Sequence, residues 1–209
     1  MEKVNVIKKV LIYYAALTVL SITVVLAVTS CNNSSKPEDS KDVAMAENKV
    51  KDTTKNMGDN MGDKSEKDAK FLVEAAGINL EEIQLGQLAE QQGGTDEVKK
   101  LGKMMEDNHT QSQNDLKTLA GKKMIDIPTT ITNDGMDAYK KLSRKSGHDF
   151  DKAFCDMMVD GHKGAISKFE KASADCDDVD IKSWASSTLP TLHAHLDHSI
   201  ACQKDIDKM

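Results

Sequence analysis

Between residues 68 and 209 apolar side chains return every three to four positions, in four successive stretches separated by turn signals. That period is the mark of an amphipathic helix. Phe71, Ala75, Ile78, Leu85, Leu88 and Ala89 form the first stripe, and Gly93-Gly94-Thr95-Asp96 ends it and offers an N-cap for the next. Val98, Leu101, Met105, Leu116 and Leu119 form the second. A longer connection through Ile127-Pro128 follows, with a short helix expected from about Asp134 to Leu142. Phe150, Phe154, Met158, Ala165, Phe169 and Ala172 form the third stripe, and Asp175-Cys176-Asp177-Asp178 is a turn. Ile181, Ala185, Leu189, Leu192, Leu196 and Ile206 form the fourth, with Pro190 inside it as a kink. The pattern predicts an all-α, up-down-up-down four-helix bundle over 68–209, with a short extra helix in the middle connection. Aromatics at 4% and few β-branched runs after residue 31 argue against a sandwich or barrel.

The N-terminus is of another kind. Lys3, Lys8 and Lys9 precede an apolar run from Val10 to Val28, as in a secretory signal. The run is also long enough for an uncleaved membrane anchor. Val28-Thr29-Ser30-Cys31 resembles a bacterial lipobox, which makes residues 1–30 a lipoprotein signal peptide and Cys31 the lipidated residue. Both alternatives place the remainder outside the cytoplasm, held to a bacterial membrane (periplasm or outer membrane) by its N-terminus. Residues 31–67, rich in Asn, Ser, Lys, Asp and Gly without apolar period, read as a disordered tether. The acid excess, 34 Asp and Glu against 28 Lys and Arg, excludes a nucleic-acid partner.

Four polar residues interrupt the stripes, one in each long helix. Glu82 lies between Ile78 and Leu85, His109 between Met105 and Leu116, His162 between Met158 and Phe169, and His195 three after Leu192. Antiparallel neighbours at one level are equidistant from the turn that joins them. Glu82 and His109 are centred on the Gly-Gly-Thr-Asp turn, His162 and His195 beside the acidic turn. With both turns at one end of the bundle, the two pairs differ in height by only about 5 Å at a rise of ~1.5 Å per residue. Three imidazoles and a carboxylate in one layer suit a divalent transition metal: Zn, Fe, Cu, Ni or Mn. The competing reading is a hydrogen-bonded Glu–His pair in a wet core with no metal.

Glu106-Asp107-Asn108-His109 contains the Glu-x-x-His of di-iron bundles, but Val159 stands where a second copy would need its Glu. No Ser-His-Asp set, P-loop or Rossmann glycine pattern is visible, so hydrolase, nucleotide and dehydrogenase readings lack support, and enzymatic activity stays open. Cys155 and Cys202 share the register of His162 and His195, each seven residues away. They are either a disulfide between the last two helices or two packed thiols.

Taken together, Phe71-Leu72, Glu74-Ala75-Ala76, Leu80-Glu81-Glu82-Ile83-Gln84-Leu85-Gly86-Gln87-Leu88-Ala89, Met157-Met158-Val159-Asp160-Gly161-His162 and Leu189-Pro190-Thr191-Leu192 resemble the domain-of-unknown-function 4142 (DUF4142) family over about 68–205. The resemblance implies an exported bacterial protein with a ferritin-like four-helix bundle. The family pattern has Asp where this chain has Asn108, and often Glu where it has Gln84. Membership implies fold and export and leaves activity open. The sequence therefore points to a membrane-tethered bundle that binds a metal in metal handling or envelope stress, or else to a structural or interaction module of the cell envelope.

Overall fold

The computed structural model describes residues 38–55 and 62–209. Residues 1–30, expected to be a signal peptide, and Cys31 lie outside the described residues. Among the described residues six helices follow in order: α1 Ser40–Lys55, α2 Gly62–Gln92, α3 Asp96–Lys123, α4 Asn133–Ser143, α5 Gly147–Asp175 and α6 Val179–Ile206. No strand occurs among the described residues, so they are all-α. None of these helices is long and apolar enough to cross a membrane.

Local chemistry sets the helix ends. The Thr95 hydroxyl accepts from the Val98 amide, and the Asp178 carboxylate from the amides of Asp180 and Ile181. Each side chain satisfies donors that the first turn leaves unpaired. Met124 closes α3 in the left-handed conformation at φ 58°.

Two buried aspartates fix the directions of the long helices. Asp151, near the start of α5, accepts from the Gly94 amide in the α2–α3 turn at 2.8 Å. Asp68, in the early part of α2, accepts from the amides of Asp177 and Asp178 in the α5–α6 turn at 2.9 Å. The two turns therefore lie at opposite ends. Lys123, at the end of α3, confirms this by pairing with Asp178 and Asp180. The order is up (α2), down (α3), down (α5), up (α6), which corrects the expected up-down-up-down order. The cause is the middle connection, residues 124–146: it climbs the length of the helices beside α2 and delivers α5 to the end where α3 began. The main packing is α2 on α3, α5 on α6, α2 on α5 and α3 on α6, all antiparallel pairs, while α3 and α5, which run parallel, touch only lightly across the core.

The expectation of a disordered tether over 31–67 also meets a difference, because α1 lies within it and packs on α2. Polar ties hold this helix. The Asn48 amide donates to the Asp126 carbonyl and accepts from its N–H, at 2.8 and 2.7 Å. Asp39 accepts from the Asn133 amide, and the Ser40 hydroxyl donates to the Thr130 carbonyl. Among its described side chains, those of residues 40–51, only Ala44 is buried. A helix attached this way shows no apolar period.

The core divides in two. One cluster gathers Phe71, Leu72, Leu116, Phe169, Ile181 and Leu192. The other gathers Leu85, Met105, Phe150, Phe154, Met158 and Ile206 with Cys155 and Cys202. α2 and α3 approach most closely at Gly86 and Gly102: a methyl on either would meet the other's carbonyl oxygen at 2.6–2.7 Å.

Candidate metal centre

Buried polar side chains occupy the level between the two clusters. Counted from the end where α3 and α5 begin, His109 is thirteen residues into α3, His162 fifteen into α5, and His195 eleven from the end of α6. At ~1.5 Å per residue they share a slice about 6 Å deep. All three are mid-helix, which is why they meet even though the two turns lie at opposite ends.

The rings form a near-regular triangle, with centroids 5.7 Å (His109–His162), 5.2 Å (His109–His195) and 5.2 Å (His162–His195) apart. One ring nitrogen of each lies within 4.8 Å of the others. The rings are 1–3% exposed. Burial pushes all three below the ordinary histidine pKa; His195 falls to about 4, helped by the neighbouring His162, and His109 lies well below its usual value. At neutral pH the imidazoles are uncharged, with lone pairs available to a cation.

Hydrogen bonds fix the tautomers. His109 Nδ1 donates to Asn79 Oδ1 at 3.0 Å, and Asn79 Nδ2 is committed to the Ser112 hydroxyl and Gln113 Oε1 at 3.2 and 3.3 Å. His162 Nδ1 donates to the Met158 carbonyl at 2.8 Å. Both rings thus turn an unprotonated Nε2 inward, and backing of this kind orients metal-ligating histidines. His109 Nε2 is buried with no partner. His162 Nε2 faces His195 Nδ1 at 3.2 Å, close to the ~3.3 Å edge of a tetrahedral zinc site. On its far side His195 Nε2 accepts from Asn108 Nδ2 at 2.9 Å. A cavity of about 20 Å³ adjoins His109 and His195, bounded by Ser112, Thr188 and Thr191, and it has room for about one water.

Glu82 is buried but stands outside the set of mutually close ligand atoms. Its carboxylate faces Gly161, where an added methyl would come within 3.1 Å of Oε1, and Oε2 has no partner. Burial, with a smaller push from Glu81, raises its pKa to about 8. Asn79 is the residue that meets His109 across the α2–α3 hairpin. Sequence reasoning passed over it, although it follows the stripe residue Ile78 directly and could have been tested in the same way. Asn108 was read only as a departure from a family pattern. Cys155 and Cys202 face one another as free thiols with sulfurs 3.0 Å apart.

Fold and site define an all-helical protein with a buried cluster of three imidazoles that could hold a metal. The chain belongs to the family described as Domain of unknown function (DUF4142), whose family model matches residues 53–201. No curated protein and no solved structure matches it.

Proposed function

We propose that this is an exported, lipid-anchored protein of the bacterial envelope, a ferritin-like four-helix bundle that takes one divalent transition metal at His109, His162 and His195. The observation that carries the reading is His109 Nε2: a buried lone pair without a partner, held towards two other neutral rings by a locked asparagine. Leaving such a nitrogen unpaired costs about 1–3 kcal/mol, and a bound cation removes that cost. The lengthwise crossover between the second and third long helices supports the ferritin-like arrangement. The basic, apolar start and Cys31 support export and a lipid anchor to the membrane.

The role is metal handling or protection of the envelope, not fast catalysis, because a cavity of about 20 Å³ beside the rings leaves no room for a substrate. Elemental analysis of protein purified without a His tag is expected to find close to one metal per chain, and a chelator is expected to lower Tm. No metal together with an unchanged Tm would end the reading. One observation favours the alternative of a structural or interaction module without metal: His162 and His195 already hydrogen-bond to each other. On that reading the chelator has no effect.

A further inference from the structure

We infer that Asn108 is a positioning residue that sets the tautomer of His195, and that rotation of its amide turns the triangle from a hydrogen-bonded state into a metal-holding one. The inference rests on the metal reading above.

An amide nitrogen only donates, so the 2.9 Å contact of Asn108 Nδ2 makes His195 Nε2 an acceptor. The ring proton of His195 is then on Nδ1, and it fills the Nε2 lone pair of His162 at 3.2 Å. In this arrangement two of the three inward nitrogens occupy one another, and only His109 Nε2 is free. A cation held by all three rings needs a lone pair on His195 Nδ1, and therefore a proton on its Nε2. That proton needs an acceptor, which Asn108 supplies by turning Oδ1 towards the ring. His195 loses a proton from Nδ1 to solvent and gains one at Nε2, so the ring stays neutral and no net proton is released.

The other two rings have no such freedom. His162 donates to a helix carbonyl, which cannot become a donor. His109 donates to Asn79, whose own amide hydrogens are bound by Ser112 and Gln113 in a buried setting. Asn108 is exposed, and its contact with His195 is its one side-chain hydrogen bond among the described residues. Water can serve either end of its amide, so rotation costs little. One asparagine clamps a ring in the ligand tautomer; the other lets a ring choose.

The test is nitrogen-15 NMR of the histidine rings together with zinc competition titrations, on wild type, Asn108→Asp and Asn108→Leu. A carboxylate only accepts, so Asn108→Asp holds His195 protonated at Nε2. The expected result is Nδ1 protonation of His195 in zinc-free wild type, and Nε2 protonation both in zinc-loaded wild type and in zinc-free Asn108→Asp. Zinc affinity is expected to rise at least tenfold in Asn108→Asp and to fall about tenfold in Asn108→Leu, the range typical of groups behind metal ligands. A purely structural role would move Tm and leave ring protonation alone. Zinc binding by wild type with His195 in the same tautomer throughout, or with that tautomer unmoved in Asn108→Asp, would overturn the inference and leave the metal reading standing. Failure of wild type to take up zinc, iron, copper, nickel or manganese would remove both.

Discussion

The α5–α6 hairpin buries two facing pairs two turns apart, and their surroundings are opposite. Cys155 and Cys202 meet at 3.0 Å within the cluster of Phe150, Phe154, Met158 and Ile206. His162 and His195 meet at 3.2 Å, backed by a carbonyl and an amide, with a third ring from α3. The contact with Cys202, with burial, pushes the Cys155 thiol far up, so it stays protonated and is a poor ligand. Burial pushes the imidazoles down, so they stay deprotonated and are good ligands. The contact between the sulfurs chiefly holds one thiol protonated and lowers the pKa of the other, whereas loss of water is the chief cause that keeps the rings neutral. Register alone makes two such pairs; the groups behind them decide which can receive a cation.

The contrast breaks most readily at the rings. His109→Ala with His195→Ala is expected to weaken zinc binding at least a thousandfold, about 4 kcal/mol, in a competition titration. Cys155→Ala with Cys202→Ala is expected to stay within twofold of wild type. Equal losses from the two double variants would refute the distinction.

Acid provides the next largest effect. The folded-state pKa values of the rings lie below the unfolded value of about 6.5, so the unfolded chain binds more protons as pH falls. Their contribution is complete above pH 6.5 and is lost towards pH 4. His195 alone, at about 4, accounts for roughly 3 kcal/mol. Urea midpoints of zinc-free protein between pH 7.5 and 4.5 measure this, and a flat profile would mean that the rings reach water.

Oxidation sharpens the thiol side. A mild disulfide-forming oxidant is expected to join Cys155 and Cys202, which are 47 residues apart, and to stabilise the protein by about 2–4 kcal/mol. Thermal melts with and without reductant would show the rise, and Cys202→Ala should abolish it. Glu82 supplies the change of opposite sign. Its pKa of about 8 lies above the unfolded value, so its contribution is complete below pH 4.5 and is lost as pH rises through 8. Glu82→Gln is expected to gain roughly 4 kcal/mol over wild type at pH 8 and nothing at pH 4. An equal difference at both pH values would place the carboxylate in contact with solvent.

The α5–α6 register was legible in the sequence because a short turn makes pairing depend on numbering alone. His162 meets His195, and Cys155 meets Cys202, as counting from the turn suggests. Counting across α2–α3 chose Glu82 for His109, whereas Asn79 makes the bond, one turn away. A helical residue has neighbours one turn above and below, and only its rotamer and their hydrogen-bonding capacity decide between them. Chain direction was not legible either. Residues 124–146 fit a short link or a lengthwise climb equally well, and the choice rests on the single bond from the Gly94 amide to Asp151 and the pair at Asp68. α1 escaped because its attachment to Asp126 uses hydrogen bonds, which leave no period to count.

Gly86 lies seven residues from Asn79, and Gly102 seven from His109. The pinch where the two backbones touch is thus two turns from the 3.0 Å bond that aims His109. It works as a gauge block: bare backbone against bare backbone sets the gap between the rods, and the bond downstream inherits that spacing. One methyl inserted there would prise the rods apart, and the ring's aim would be lost without any change to the ring.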